Sequence, residues 1–368
     1  MMSDLSGLSE KARARIAAER LCDEFVTRGA ARFDSDVLLP AEVLLDLYGE
    51  DIRARAYVTS DPEHGEMMLR PDFTVPVVQA HMAGDVTPAS YTYFGEVFRK
   101  QDAHPDRRNE YFQVGYEVFG GADAAAAEAD VFGTFAEMLA PYGLRAATGD
   151  IGILVDAVKG LKTTEARRAA LLRHIWRPRR FRSLLTRFSE AGAKQREANI
   201  ARVRANLETT DAPLIGLRTQ TEIDARIAAL EEDASEPPIS ASEVALLDDI
   251  LSLKETVPYV LSALRDIAVD MPAIAGSVER LDRRANAMAK KGVDVEALDF
   301  EASYGRTSME YYNGFVFGFY AEGRPDLPPV ATGGRYDALT AVLGQGEGVP
   351  AVGGVMRPDL MVALKGDA

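Results

Sequence analysis

An amide and a carboxylate four positions apart on one extended segment, with a glycine midway, are the side chains of this chain best arranged to hold a small polar molecule. They are Gln113, Gly115 and Glu117, in the segment EYFQVGYEVF at 110–119. Period-two alternation puts Tyr111, Gln113, Gly115, Glu117 and Phe119 on one face and Glu110, Phe112, Val114, Tyr116 and Val118 on the other. The first face reads as a pocket floor, because Gly115 has no side chain to block a ligand lying on the sheet. An ordinary hairpin with a few solvated polar residues has the same pattern. Asp72 and Thr74 form a second pair, projecting together by parity where Pro71 stiffens the backbone. The most aromatic run, Tyr311 to Tyr320, sets Gly314 and Gly318 beside large rings. In Gly333-Gly334-Arg335 the backbone could approach an anionic group that the guanidinium covers. Taken singly, core aromatics, a plain turn and a structural ion pair account for these residues equally well.

The elements that must position them follow from periodicity and breakers. Tyr91 to Arg99 and Glu110 to Phe119 are β-branched and aromatic around a polar loop, which predicts a long antiparallel hairpin. Ala14, Ala18, Leu21 and Phe25 make a helical stripe over Ser9 to Arg28, ended by Gly29. Phe33 to Leu39 is strand-like, Ala41 to Tyr48 a short helix, and Tyr57 to Thr59 with Glu66 to Leu69 two strands about a turn. Val75 to Met82 is helical, with Pro76 tolerated in the first turn. A helix over Ala122 to Leu139 and a strand and turn over Gly143 to Ile153 complete this half. From 154 to 293 Arg, Ala, Leu and Glu dominate, which predicts a helical insert. Its Arg-rich helices around Arg167 to Arg187 face either a polyanion or partner, or solvent. Strands return at Leu298, with Val330-Ala331-Thr332 a short strand, Gly333 to Asp337 opening a helix and Val352 to Met356 a last strand.

Composition bounds the function. With 368 residues there is chain for a large core and two lobes. With 42 basic and 57 acidic residues the net charge is −15, which gives no global attraction for nucleic acid or an anionic membrane. The lone Cys22, within a helical stripe, reads as a buried thiol in a reducing, cytoplasmic setting. No run of 18 apolar residues and no apolar leader occurs. Four scattered histidines have no metal-ligand spacing, so neither a metal nor a cofactor is expected.

Five stretches then point the same way. LRPDFT at 69–74, VFRKQ followed by EYFQVGYE across 97–117, YYNGFVF at 311–317, TGGRYD at 332–337 and PAVGG at 350–354 resemble, in order and spacing, the catalytic core of class II histidyl-tRNA synthetases. Five ordered motifs are far more specific than one. The resemblance implies an α+β fold, an antiparallel sheet flanked by helices, built from 1–153 and 294–368 and interrupted by the helical insert 154–293. It also implies a histidine pocket. By motif position Asp72, Thr74 and Gln113 match residues that hold the amino-acid ammonium, and Glu117 and Tyr312 those that address the imidazole. Arg99 matches an arginine that meets a carboxylate or phosphate, while Tyr311, Gly333, Gly334 and Arg335 line the remaining wall.

The nucleotide side departs from the enzyme pattern. Where the family has Arg-x-Glu this chain has Arg99-Lys100-Gln101, and where it has Gly-x-Glu-Arg this chain reads Arg357-Pro358-Asp359-Leu360. A further arginine position falls at Thr307, beside Arg306. The chain stops four residues after Leu364, which leaves no room for an anticodon-binding domain. A retained amino-acid face beside a degraded ATP face is similar to the synthetase paralogues that regulate ATP phosphoribosyltransferase. That resemblance implies a non-catalytic, histidine-binding subunit, a homodimer within a hetero-oligomer containing a short-form catalytic chain. An active adenylating enzyme and a scaffold with a vestigial pocket are the competing readings.

Overall fold

The computed structural model describes residues 7–41, 54–84, 86–101, 107–121, 123–209, 216, 218–304 and 311–366. The helix expected over Ala41 to Tyr48 lies outside them beyond Ala41, as do Arg306 and Thr307. Two compact units are present: 1–152, 253–263 and 276–368 make one, 153–252 with 264–275 the other. The first unit therefore takes in 253–263 and 276–293, stretches that the sequence pattern assigns to the insert, because a short strand and a helix there pack with the sheet.

The chain begins with α1 (Glu10–Thr27), whose Ser9 cap accepts from the Ala12 N–H at 3.2 Å. Ala14, Ala18, Cys22 and Phe25 are its buried stripe, and Gly29 takes a φ of +99° just past its end. Of the strand expected over Phe33 to Leu39 only the end is extended, in β2 (Leu38–Pro40), and a separate short strand, β1 (Ala31–Arg32), precedes it. The hairpin β3 (Val58–Asp61) and β4 (Gly65–Leu69) joins β2 in a three-stranded sheet, followed by α2 (Thr74–Met82). Strands β5 (Ala89–Phe98) and β6 (Glu110–Phe119) form the long antiparallel hairpin, Phe98 opposite Glu110 and Ala89 opposite Phe119. Next come α3 (Ala124–Leu139), β7 (Arg145–Asp150) and α4 (Ile151–Lys159).

The helical unit holds α5 (Glu165–Arg173), α6 (Pro178–Phe188), α7 (Glu190–Thr209), α8 (Gln220–Ser235) and α9 (Ala241–Ser252). Its interior includes Leu171, Phe181, Leu185 and Ile239, and also Arg167, which is only 1% exposed. That guanidinium donates from Nε to Asp233 at 2.7 Å and from Nη1 to the Pro237 carbonyl at 2.6 Å. Arg167 is thus a buried tie rather than part of a solvated face.

The chain continues through β8 (Lys254–Thr256), α10 (Val257–Asp270), α11 (Ala275–Lys290) and β9 (Asp299–Glu301). Its last elements are β10 (Phe315–Tyr320), β11 (Ala331–Arg335), α12 (Asp337–Leu343), β12 (Ala351–Met356) and α13 (Pro358–Gly366). The large sheet has nine strands in the order β1-β5-β6-β12-β11-β10-β7-β9-β8. Gly333 and Gly334 lie inside β11, not at a helix start. Both are paired on either side, to Phe317 and Val316 of β10 and to Gly354 and Gly353 of β12.

Register divides the sheet into two faces. One is covered by α1 and α3: Phe25 stacks on Tyr116 at 4.8 Å, and Phe132 and Phe135 meet Phe317 at 5.5 and 5.4 Å. Arg335 falls on this face. The other carries Tyr93, Gln113, Glu117 and Gly353, with Phe73 stacked on Tyr93 at 4.5 Å beside the start of α2.

Candidate functional site

Glu117 is the centre of the second face. Oε1 accepts from the Tyr93 hydroxyl at 2.8 Å and from Thr74 Oγ1 at 3.1 Å, while Oε2 accepts from the Tyr336 hydroxyl at 2.6 Å. The side chain is buried, at 1% exposure. Burial pushes its carboxyl up to about 7, and the hydroxyl bonds from Tyr336, Tyr93 and Thr74, which favour the ionised form, only partly oppose this. Burial and the Glu117 charge in turn hold the Tyr93 and Tyr336 phenols well above their ordinary range, so both remain donors.

Each partner arrives by a different route. Tyr93 sits opposite Gly115 across the hairpin, and its ring fills the volume where a Gly115 side chain would be. The glycine on the expected pocket floor therefore makes room for a tyrosine, not for a ligand lying on the sheet. Gly353 pairs with Glu117, and a Cβ there would overlap Oε2, so the neighbouring strand must be bare at that point. Thr74 opens α2, and Tyr336 precedes α12, immediately after β11.

Asp72, Thr74, Gln113, Glu117, Tyr311 and Tyr312 surround one cavity, together with Tyr336, Gly353, Gly354 and Val355. Its enclosed volume is about 10 Å³, on the scale of a single water, so a larger ligand enters only when side chains move. The rings of Tyr311 and Tyr312 lie 4.8 Å apart, and Tyr311 meets Tyr336 edge-on at 6.1 Å. Gln113 Oε1 is buried, with no hydrogen-bond donor on it among the described residues. Asp72 is also buried, and its Oδ2 faces Arg99 Nη2 at 3.4 Å while Arg99 Nε donates to the Pro71 carbonyl at 2.7 Å. Arg99, expected to meet a carboxylate or phosphate, thus braces the Asp72 turn and is not among the residues lining the cavity.

Three expected wall residues part company. Gly334 faces the cavity side, where a Cβ would press on the Tyr312 ring. Gly333 faces the helices, against the Phe317 ring. Arg335 also points to the helices: it forms an ion pair with Glu128 through Nε, with Asp337 at 2.9 Å, and reaches the Ala124 carbonyl at 3.1 Å. Glu128 is shared with Arg284, which also holds Asp150 at 2.9 Å. Adjacent residues on an extended strand face opposite ways, so the wall side chain in this motif is Tyr336, not Arg335. Tyr93 and Tyr336, both donors to Glu117, are the site residues that sequence reasoning missed. Tyr336 lies within TGGRYD and was open to recognition there, whereas no local signal marks Tyr93.

The positions where the chain departs from the synthetase pattern make local contacts. Gln101 Nε2 donates to the Arg99 carbonyl at 3.2 Å, and Arg357 lies over the Tyr111 ring at 5.0 Å. Asp359 has its carboxyl raised by burial, and Leu360 occupies the position where the synthetase pattern has arginine.

A mainly antiparallel nine-stranded sheet, parallel only at the β1–β5 and β7–β9 pairs and flanked by helices, is a class II synthetase-like fold. The crystal structure of an ATP phosphoribosyltransferase regulatory subunit/histidyl-tRNA synthetase from Bacillus halodurans C matches it with a TM-score of 0.65 at 18% identity, over 96% of this chain and 79% of that one. The family model for histidyl-tRNA synthetase matches residues 4–232 and 224–360. ATP phosphoribosyltransferase regulatory subunits from Rhizobium etli (strain CIAT 652) and Agrobacterium fabrum (strain C58 / ATCC 33970) are each 31% identical to it. The first aligns over 90% of this chain and 93% of its own length, the second over 95% and 96%. The chain belongs to the family of ATP phosphoribosyltransferase regulatory subunits, within the wider histidyl-tRNA synthetase group.

Proposed function

We propose that this chain is the non-catalytic subunit of an ATP phosphoribosyltransferase in histidine biosynthesis, and that the Glu117 cavity is its receptor for free L-histidine. The observation that carries the reading is the convergence of buried acceptors of two kinds. Gln113 Oε1 and the Asp72 carboxylate suit an ammonium, and Glu117 suits a ring N–H. A carboxyl near 7 accepts from an imidazole at neutral pH, and the phenols of Tyr312 and Tyr336 flank the place where the ring would sit.

In this reading the chain works in the cytoplasm as a homodimer joined to a short-form catalytic subunit. Histidine shifts that complex by binding its active and inhibited states with different affinity. Expansion of the cavity on binding supplies a structural difference between states. The test is calorimetric titration of L-histidine into the chain alone and into its complex with the catalytic subunit. Saturable binding whose affinity changes with the partner supports the reading; absence of binding in both sinks it. Histidine-dependent exchange of pyrophosphate into ATP by the chain alone would restore the adenylating alternative.

A further inference from the structure

One stretch of the helical unit is charged oppositely to the whole chain. Between residues 167 and 204 there are twelve arginines and lysines against two acidic residues, in a protein of net charge −15. A cavity of about 530 Å³ lies among α6, α7 and α8, within the size range of small-molecule sites. Its lining includes Arg187, Arg196 and Arg202, the hydroxyls of Ser183 and Thr186, and Asp233.

Arg196 is the unusual member. It is 5% exposed, and its Nη1 donates to the Arg187 and Ser189 carbonyls at the end of α6, while Nε is buried with no partner among the described residues. A buried cationic donor left unpaired is unfavourable unless something binds it. The one carboxylate in the lining, Asp233, is already held by Arg167 at 2.7 Å. Arg187 and Arg202 are exposed and form no ion pair among the described residues. Three guanidinium groups thus line the cavity, and among the described residues the carboxylate lining it with them, Asp233, is shared with Arg167.

We propose that this cavity binds a small phosphate-bearing anion, with Arg196 meeting phosphate oxygens side-on and Arg187 and Arg202 closing over it from the rim. A phosphate fits better than a single carboxylate because its charge of about −1.5 to −2 answers several cations, and its further oxygens take the Ser183 and Thr186 hydroxyls. The cavity is set in the helical unit, and nothing in it depends on the Glu117 reading.

The test titrates the full chain with inorganic pyrophosphate by calorimetry, with sulfate at matched ionic strength as reference. The expected result is saturable pyrophosphate binding at one site per chain, weakened at least tenfold by Arg187→Gln with Arg202→Gln, both exposed and safe for folding. Arg196→Lys, which keeps the charge and loses the fork, also weakens it in a chain with an unchanged circular dichroism spectrum. No saturable binding, or binding indifferent to the rim pair, overturns the proposal. A short single-stranded RNA that binds more tightly than pyrophosphate and depends on the same arginines also overturns it, in favour of a polyanion surface.

Discussion

The Tyr336 hydroxyl donates to Glu117 Oε2 at 2.6 Å, joining the end of β11 to the last part of β6 across β12. It is the shortest of the three hydroxyl bonds on that carboxylate and brings the last quarter of the chain to bear on the hairpin.

Tyr336→Phe removes a hydrogen bond to a charged group, an interaction of about 1.5–3 kcal/mol. Histidine affinity is expected to fall roughly tenfold or more, because the phenol no longer orients the carboxylate. Glu117 should titrate at still higher pH, since that bond favours the ionised form. Calorimetric titrations across pH check both; an unchanged affinity and profile would contradict the assigned bond.

Glu117 makes stability depend on pH in a defined window. Its carboxyl titrates near 7 when folded and near 4.5 when not, so the folded chain binds the proton more tightly. The resulting stabilisation is complete below about pH 4.5 and disappears as pH rises through about 7, amounting to about 3 kcal/mol at most. Urea unfolding of wild type and Glu117→Gln at several pH values isolates this group. Their difference should shift by that amount across the window, and a constant difference refutes it.

Histidine binding carries the opposite sign. An imidazole N–H needs the ionised carboxylate, so affinity should drop as pH falls below about 7, and binding near neutral pH should release protons. Titrations in buffers of different ionisation enthalpy count those protons, and a count of zero at pH 7 would tell against Glu117 as the ring's partner.

Arg335 separates a wall role from a structural one. Arg335→Ala leaves Glu128 and Asp337 short of a cation on the helix face, a loss of about 3–5 kcal/mol for a broken buried pair. Denaturation should show that loss, while histidine affinity in the folded fraction stays within about twofold. A large drop in affinity at preserved stability would return Arg335 to the cavity wall.

Gly353→Ala places a methyl on Glu117 Oε2. The carboxylate must swing away from Tyr336 or the strand must shift, so histidine binding should be lost. Thermal denaturation measures the accompanying destabilisation, and retained affinity would show that Glu117 moves freely.

The hairpin, α1 with its terminal glycine, and the shared face of Gln113 and Glu117 were legible from the chain because each depends on spacing within a few residues. Ordered motifs added Asp72, Thr74, Tyr311 and Tyr312, and all six line one cavity. What local pattern left undecided was the pairing of distant strands. Only the register of β11 between β10 and β12 turns Arg335 toward α3 and Tyr336 toward Glu117. Only the opposition of Tyr93 and Gly115 shows that the bare position on the floor is filled by a ring. The residues present and their order along each strand came from sequence. Which of them meet, and how little space they enclose, was decided by packing between segments more than 200 residues apart, such as Glu117 and Tyr336, 219 residues from each other.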